Sequence, residues 1–283
     1  MRWIVLLLFL LAACSTSEVG SVEVLTCPDC SGAYDGFSRC AFFSAKDPSA
    51  STLVDEGNYA GQGVPIYVSG YMHHKFCFNE THAAFGSANP TSTGLSKNDN
   101  LVLRVESSIL ARGFAAEYDY LLGRGDGSYT REWVFNEQPV ELLFCPRASC
   151  EERILEVLSS AEESVLFLSF SFTSLPIASE LVQLHERGVC VAGVMERFGA
   201  GSRYSRYQPL VDAGLGVMLA DTPGLMHHKA FLVDGELSIV GSYNPSASAN
   251  ERNSETLVFL REPAVAQALV SEFFRVGGML SCE

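Results

Sequence analysis

Positive charge is scarce in this chain. Its 283 residues carry 19 lysines and arginines against 33 aspartates and glutamates, a formal net charge of −14. Affinity for nucleic acid comes mostly from neutralising phosphates with Lys and Arg, so a surface that tracks nucleic acid along its whole length is disfavoured. A small basic funnel is compatible with that balance. A membrane-length apolar run is also lacking at the start: MRWIVLLLFLLAAC, residues 1–14, is too short for a comfortable span and reads as an export signal. No well-placed histidine pair accompanies Cys27/Cys30 or Cys145/Cys150, so the zinc-ligand reading of those spacings is incomplete and disulfide bridges are the better one. What is present, 47% hydrophobic and 18% charged, suffices for a substantial core in one compact body.

The chain is organised around residues 226–255, MHHKAFLVDGELSIVGSYNPSASANERNSE. His227, Lys229, Asp234, Gly241, Ser242 and Asn244 follow the pattern H-x-K-x4-D-x6-G-S-x-N. Period-two alternation predicts strands over 229–233 and 237–240, with Asp234-Gly235 as the hairpin signal between them. On such a strand His227 and Lys229 share a face. The GSxN turn can bring a hydroxyl, an amide and backbone N–H groups to the same mouth. An imidazole beside an ammonium and neutral donors suits a phosphate diester: a nucleophile or proton carrier, a charge partner, and holders of the non-bridging oxygens. A lone histidine is more often structural, but that reading must here account for six specified positions at once. The stretch also has a twin. Residues 72–100, MHHKFCFNETHAAFGSANPTSTGLSKNDN, repeat MHHK and then GSxNP, so His73, Lys75, Ser87 and Asn89 mirror His227, Lys229, Ser242 and Asn244. Two half-sites in one chain imply one site built by both halves.

This doubled motif resembles the phospholipase D superfamily, whose signature is two HKD motifs sharing one active site. The resemblance runs from about residue 22 to 276 and is fuller in the second half. It implies an α/β fold: two fused phospholipase D-like α/β sandwich halves related by pseudo-twofold symmetry, the first abbreviated. It implies His73, Lys75, His227 and Lys229 as catalytic residues. Ser87, Asn89, Asp234, Ser242, Asn244 and Glu255 follow as phosphate-binding or supporting residues. In the family an acidic residue after the GSxN turn holds the motif histidine by its second ring nitrogen. Glu255 stands there for His227, and the first half has Asn100 instead. Asn79 occupies the place of the motif acid in the first half. The implied chemistry is two-step, through a phosphohistidine. Family precedent makes His73 the nucleophile, whereas the charge of Glu255 pulls toward His227, and both assignments stay open here. No cofactor and no metal is expected, because the lysines supply the charge that a divalent ion otherwise would.

Taken in order, residues 1–13 read as a signal peptide. Leu11-Ala12-Ala13-Cys14 is similar to a bacterial lipobox, which implies cleavage before Cys14 and lipid on its thiol. Residues 15–21 read as a polar tether, 22–124 as the first half, 125–138 as a linker containing a glycine-rich stretch, and 139–283 as the second half. The first half offers strands near 22–26, 40–43, 52–54 and 64–68, with almost no room for helices between them. A helical pattern spans 107–122. In the second half, strands near 140–144, 164–172, 189–195, 216–219 and 256–260 alternate with helices. These cover about 150–161, opened by a Ser149/Glu152 capping box, then 176–186, 207–213 and 263–276. Eight cysteines remain after Cys14, an even number that suggests disulfides in an exported chain. Cys40, Cys77 and Cys190 lie in apolar, strand-like runs, where a buried thiol is the simple reading.

The expectation is therefore a lipid-anchored phosphodiesterase at a bacterial membrane, working as a monomer on a phospholipid headgroup ester. An exported metal-independent endonuclease of the same superfamily is the alternative, with nucleic acid disfavoured by net charge. A catalytically inactive surface-binding protein is the third reading, suggested only by Asn79 and Asn100. Labelling with a radioactive fatty acid should mark the protein, and Cys14→Ala should abolish both label and membrane retention. An unlabelled wild type free in the periplasm would refute the lipobox reading.

Overall fold

The structure, a computed structural model, describes residues 16–280, so Cys14 and Cys282 lie outside the described residues. The first half runs β1 (Ser17–Glu18), β2 (Val22–Thr26), β3 (Arg39–Phe42), β4 (Thr52–Asp55), β5 (Val64–Ile66), β6 (Lys75–Phe78), β7 (His82–Gly86), α1 (Ser92–Ser96), β8 (Leu101–Glu106) and α2 (Ser108–Leu121). The second begins with β9 (Glu132–Phe135), β10 (Gln138–Cys145), α3 (Cys150–Ser159), β11 (Ser164–Ser169), α4 (Leu175–Glu186) and β12 (Cys190–Met195). It continues with α5 (Tyr207–Asp212), β13 (Gly216–Leu219), β14 (Lys229–Val233), β15 (Leu237–Gly241), α6 (Ala247–Glu251), β16 (Glu255–Leu260) and α7 (Pro263–Arg275).

Two mixed sheets result, and their order repeats. One is β2-β8-β7-β6-β3-β4-β5; the other is β1-β9 followed by β10-β16-β15-β14-β11-β12-β13. In each half three parallel strands, β3-β4-β5 or β11-β12-β13, lie on one side of an antiparallel hairpin that carries the motif. The main core lies between the sheets. Phe76, Phe85, Phe114 and Leu103 from the first half meet Phe144, Leu232, Val258 and Leu269 from the second there. Helices α2 and α7 are part of this layer: Leu110 and Phe114 on one, Leu269 and Phe273 on the other, are all buried in it. Apolar residues at helical spacing therefore join the halves rather than merely cover them.

The outer faces differ. Ile154, Leu158, Leu181, Leu184 and Leu210, from α3, α4 and α5, cover the second sheet. Among the described residues the first sheet has no such helical layer, and only Leu95 of the short α1 contributes to its cover. Its outer face is closed by the loop after β2, where Cys27, Cys30 and Ala33 pack on Ala88 and Val102, and by Phe42 with Cys40 and Cys77. Disulfides link Cys27 to Cys30, Cys40 to Cys77 and Cys145 to Cys150. The first two of these links thus stand where the shortened half has too few residues for a helical layer. Cys40 and Cys77 are not free buried thiols as expected: antiparallel pairing of β3 with β6 sets them directly opposite each other.

Three further local expectations are corrected. Ser149 makes no capping bond to α3; it sits in a left-handed conformation (φ 47°) inside the Cys145–Cys150 loop. The linker contains β9, which pairs with β10 through a two-residue turn, Asn136-Glu137, both at positive φ. The tether is drawn into the same sheet, because β1 pairs with β9 and Glu18 accepts from the N–H groups of Ser108 and Ile109 at the start of α2. A carboxylate at a helix N-terminus satisfies donors that the helix leaves unpaired.

Asp234 is placed far from any phosphate role. At the tip of the β14–β15 hairpin it accepts from the backbone N–H groups of Glu162 (3.1 Å), Glu163 (2.8 Å) and Ser164 (2.9 Å). Partial burial works to raise its pKa, but these three donors outweigh it and hold the carboxyl below the usual range. Asn79 does a similar task within its own hairpin, accepting from Thr81 and His82 N–H. Asp234→Ala should cost about 1–2 kcal/mol of stability, as the loss of a capping side chain does, with turnover nearly unchanged. Because the folded pKa is depressed, this contribution is present above about pH 4 and is lost as pH falls through the folded value. Denaturation of both proteins from pH 7 to pH 2 should show the gap closing; a gap that persists in acid, or lost turnover, would refute the assignment.

Candidate active site

Each half presents its motif histidine at the entry to a hairpin, two residues before a strand that starts with lysine. Backbone bonds across the seam between the halves fix these entries. His73 N–H donates to Ser254 O (2.9 Å) and Ser254 N–H to Tyr71 O (2.8 Å). In mirrored fashion, His227 N–H donates to Asp99 O (2.8 Å) and Asp99 N–H to Leu225 O (2.9 Å). A buried carboxylate then holds the residue before each histidine: Asp55 accepts from Met72 N–H at 2.8 Å, and Glu196 from Met226 N–H at 2.6 Å. Neither acid was singled out in the sequence, where each is one acidic residue at the end of an apolar strand.

The ring partners are exchanged between the halves. His73 Nδ1 lies 2.8 Å from Glu255 Oε2, and His227 Nδ1 lies 2.9 Å from Asn100 Oδ1. The expected pairing of Glu255 with His227 is therefore corrected. Glu255 belongs to the second half, but the seam places it beside the first-half histidine. The two motif serines are also reassigned. Ser242 Oγ donates to Glu255 Oε2 (2.5 Å) and Ser87 Oγ to Asn100 Oδ1 (2.9 Å), so both hydroxyls steady the groups that orient the rings. Asn253 Nδ2 holds the other Glu255 oxygen at 3.2 Å. With Nδ1 engaged, Nε2 is the nitrogen each ring has left for chemistry.

Lys75 and Lys229 are almost wholly buried, at 0% and 4% exposure. Lys75 Nζ donates to His73 O (2.6 Å) and Lys229 Nζ to His227 O (2.7 Å). A phenylalanine closes each side: Phe43 lies edge-on to His73 (5.1 Å between ring centres) and 5.5 Å from Lys75 Nζ. Phe170 does the same for His227 (4.6 Å) and Lys229 (4.7 Å). Sequence reasoning missed this pair. Aligning the halves strand by strand finds it, since each phenylalanine follows the strand, β3 or β11, that pairs with the motif hairpin. Asn89 Oδ1 accepts from Ser44 N–H (3.2 Å), which leaves its Nδ2 as a donor; Asn244 Oδ1 is buried without a hydrogen bond among the described residues.

The electrostatics follow from this crowding. Burial, then Lys75 and Lys229, hold the His73 pKa well below its ordinary value. Burial, then Lys229, Lys75 and His73, do the same to His227. Burial pulls Lys75 down to about 7 against the pull of Glu255 and Asp55, and Lys229 is lowered by burial and by Lys75. Burial pushes Glu255 up to about 7 despite Lys75, Ser242 and Asn253. Burial thus depresses four basic groups from both halves, the lysines depress both histidines further, and an entering anion would favour the charged form of each. Among the described residues no group of three or more His, Cys, Asp or Glu is arranged to hold a metal ion.

Paired imidazoles, paired ammonium groups and amide donors at one seam define a phosphoric diester hydrolase. Comparison with known proteins agrees. Residues 154–276 match the family described as "Cardiolipin synthase, PLD-like domain". A "Phospholipase D" of Rickettsia prowazekii (strain Madrid E) is 25% identical over 174 residues, covering 62% of this chain and 85% of that protein. A "Mitochondrial cardiolipin hydrolase" of Xenopus tropicalis is 30% identical over 141 residues, covering 49% and 67%. The solved phosphatidylserine synthase of Haemophilus influenzae Rd KW20 shares the fold, with a TM-score of 0.71 at 12% identity over 93% of this chain and 88% of that one. The chain belongs to the phospholipase D superfamily.

A buried lysine is costly unless it has work to do there. Lys75→Met should keep or raise the melting temperature at pH 7 while lowering turnover by about 100-fold or more. The sign can be checked by titration. Between about 7 and 10.5 an unfolded chain holds a proton on Lys75 that the folded one lacks, so wild-type stability gains with rising pH there. The variant should lose that gain; a variant that is destabilised and active would contradict this role.

Proposed function

We propose that the protein hydrolyses a phospholipid headgroup ester, leaving phosphatidic acid, through a phosphohistidine. The carrying observation is the pair of buried lysines beside two histidines of depressed pKa, a site short of one anion in a chain of net charge −14. The charge of a bound phosphodiester favours the protonated lysines and raises the histidine pKa values. His73 Nε2 attacks phosphorus, the bond to the headgroup oxygen breaks, and protonated His227 gives that oxygen its proton. Neutral His227 then takes a proton from water as the water oxygen attacks phosphorus and the P–N bond breaks. Lys75, Lys229 and the amides of Asn89 and Asn244 hold the non-bridging oxygens as charge builds.

The contact of Glu255 with His73 favours His73 as nucleophile, because a carboxylate on Nδ1 supports the cationic phosphoimidazole. Charge and family precedent then point to the same residue. The relatives named for phospholipase D and cardiolipin hydrolase activity support a lipid substrate. Export with a lipid on Cys14 is part of this reading, and the three disulfides placed among the described residues are in keeping with an oxidising compartment.

The test is headgroup release from mixed phospholipids, cardiolipin included, beside cleavage of plasmid and single-stranded DNA. His73→Ala and His227→Ala should each remove nearly all turnover, and mixing the two variants should restore none, since nucleophile and acid act in series on one phosphorus. Glu255→Gln should lose less than either. Cleavage of DNA without headgroup release would replace the lipid reading with the nuclease one. Wild-type turnover in His73→Ala would end the shared-site reading.

A further inference from the structure

The second histidine of each MHHK run faces a glutamate that pairs with an arginine. His228 Nε2 lies 3.3 Å from Glu272, which pairs with Arg275 at 2.7 Å. His74 Nε2 lies 3.2 Å from Glu117, which pairs with Arg147. Arg275 also has a second carboxylate, Asp99, at 2.6 Å. The backbone equivalent of Asp99 is Ser254: each precedes the residue that orients a histidine, and each forms the parallel bridge across the seam. Arg147 therefore has one carboxylate where Arg275 has two, and a serine stands where the second would be. Arg147 comes from the loop after β10 and lies over the ring of Tyr120, 3.8 Å from its centre. Tyr120 follows Glu117 by three residues, as Arg275 follows Glu272.

A cavity of about 430 Å³ opens at this place, lined by Tyr67, Ser69, Tyr120, Arg147, Arg252 and Ser254 among others. Arg252 donates from Nη2 to Ser248 Oγ and forms no ion pair among the described residues. Two guanidinium groups thus line the cavity with one carboxylate, Glu117, which of the two pairs with Arg147 alone, and the space beside them far exceeds that of a missing Asp side chain. Planar forks of donors match phosphate oxygens, and one bound anionic charge balances the positive charge that Glu117 leaves unneutralised. We propose that this cavity is a second anion site, distinct from the histidines, that takes a phosphate monoester or inorganic phosphate. Occupancy acts on the catalytic seam, because Ser254 O accepts from His73 N–H and Glu255 follows directly in the chain. The inference does not depend on which diester is cleaved.

The full chain is titrated with inorganic phosphate by calorimetry, and crystals are soaked in it. Two phosphates per chain are expected, one between the histidines and one between Arg147 and Arg252. Arg252→Ala should weaken the second about tenfold or more. Ser254→Asp should abolish it in a chain still folded by circular dichroism, since the new carboxylate pairs with Arg147 as Asp99 does with Arg275. Flotation with phosphatidylcholine vesicles, with and without phosphatidic acid, separates the sources. Arg252-dependent flotation only with phosphatidic acid identifies a lipid headgroup; phosphate binding without such flotation identifies the free anion. Phosphate found only between the histidines, or second-site binding indifferent to both substitutions, overturns the proposal.

Discussion

The exchange of ring partners across the seam is the constraint on which this molecule depends. His73 is oriented by Glu255 and His227 by Asn100, so neither motif is complete without the other half. Four backbone hydrogen bonds between the entry loops set the distance at which this exchange works. The inter-sheet core serves the same end, since α2 and α7 lie between the sheets and lock the halves in one relative position. A small slip there would separate imidazole from carboxylate, and rates fall steeply with such misplacement.

Positive charge is concentrated at the seam. Two ammonium groups and two imidazoles are buried around Glu255; burial lowers the pKa of all four, and the two lysines lower both histidines further. Such a cluster lowers the stability of the empty protein. What it gains is a set of donors already in place when a phosphodiester arrives, which need not be reorganised as charge develops. Phe43 and Phe170 add apolar walls against the rings, which keep water away and strengthen every interaction inside.

The repeat is closer in backbone than in side chains. Sheet order, seam bonds, histidine–glutamate contacts and flanking phenylalanines recur, yet Glu255 faces Asn100 and Ser254 faces Asp99 across the site. These two differences have consequences of opposite kinds. The first gives the two histidines unequal charge support. The second leaves Arg147 with one carboxylate where Arg275 has two, beside a cavity.

Much of this was legible in the sequence. The doubled MHHK and GSxN stretches located both histidines, both lysines and the hairpins that carry them, because period-two alternation and turn chemistry are local properties. Helices α2, α4 and α7 were readable for the same reason, their apolar residues recurring at helical spacing. The capping box at Ser149 failed because a disulfide loop set that backbone, and β9 was missed because its turn, Asn136-Glu137, contains no glycine. Sequence alone determined which residues are chemically able to act. Only the tertiary structure decided which half each acts upon: Glu255 and His73 are 182 residues apart, and no local pattern records a contact made by two sheets meeting at a seam. The same packing sent Asp234 to the backbone of another loop and turned both motif serines inward, since a side chain's partner is set by what the fold brings near it.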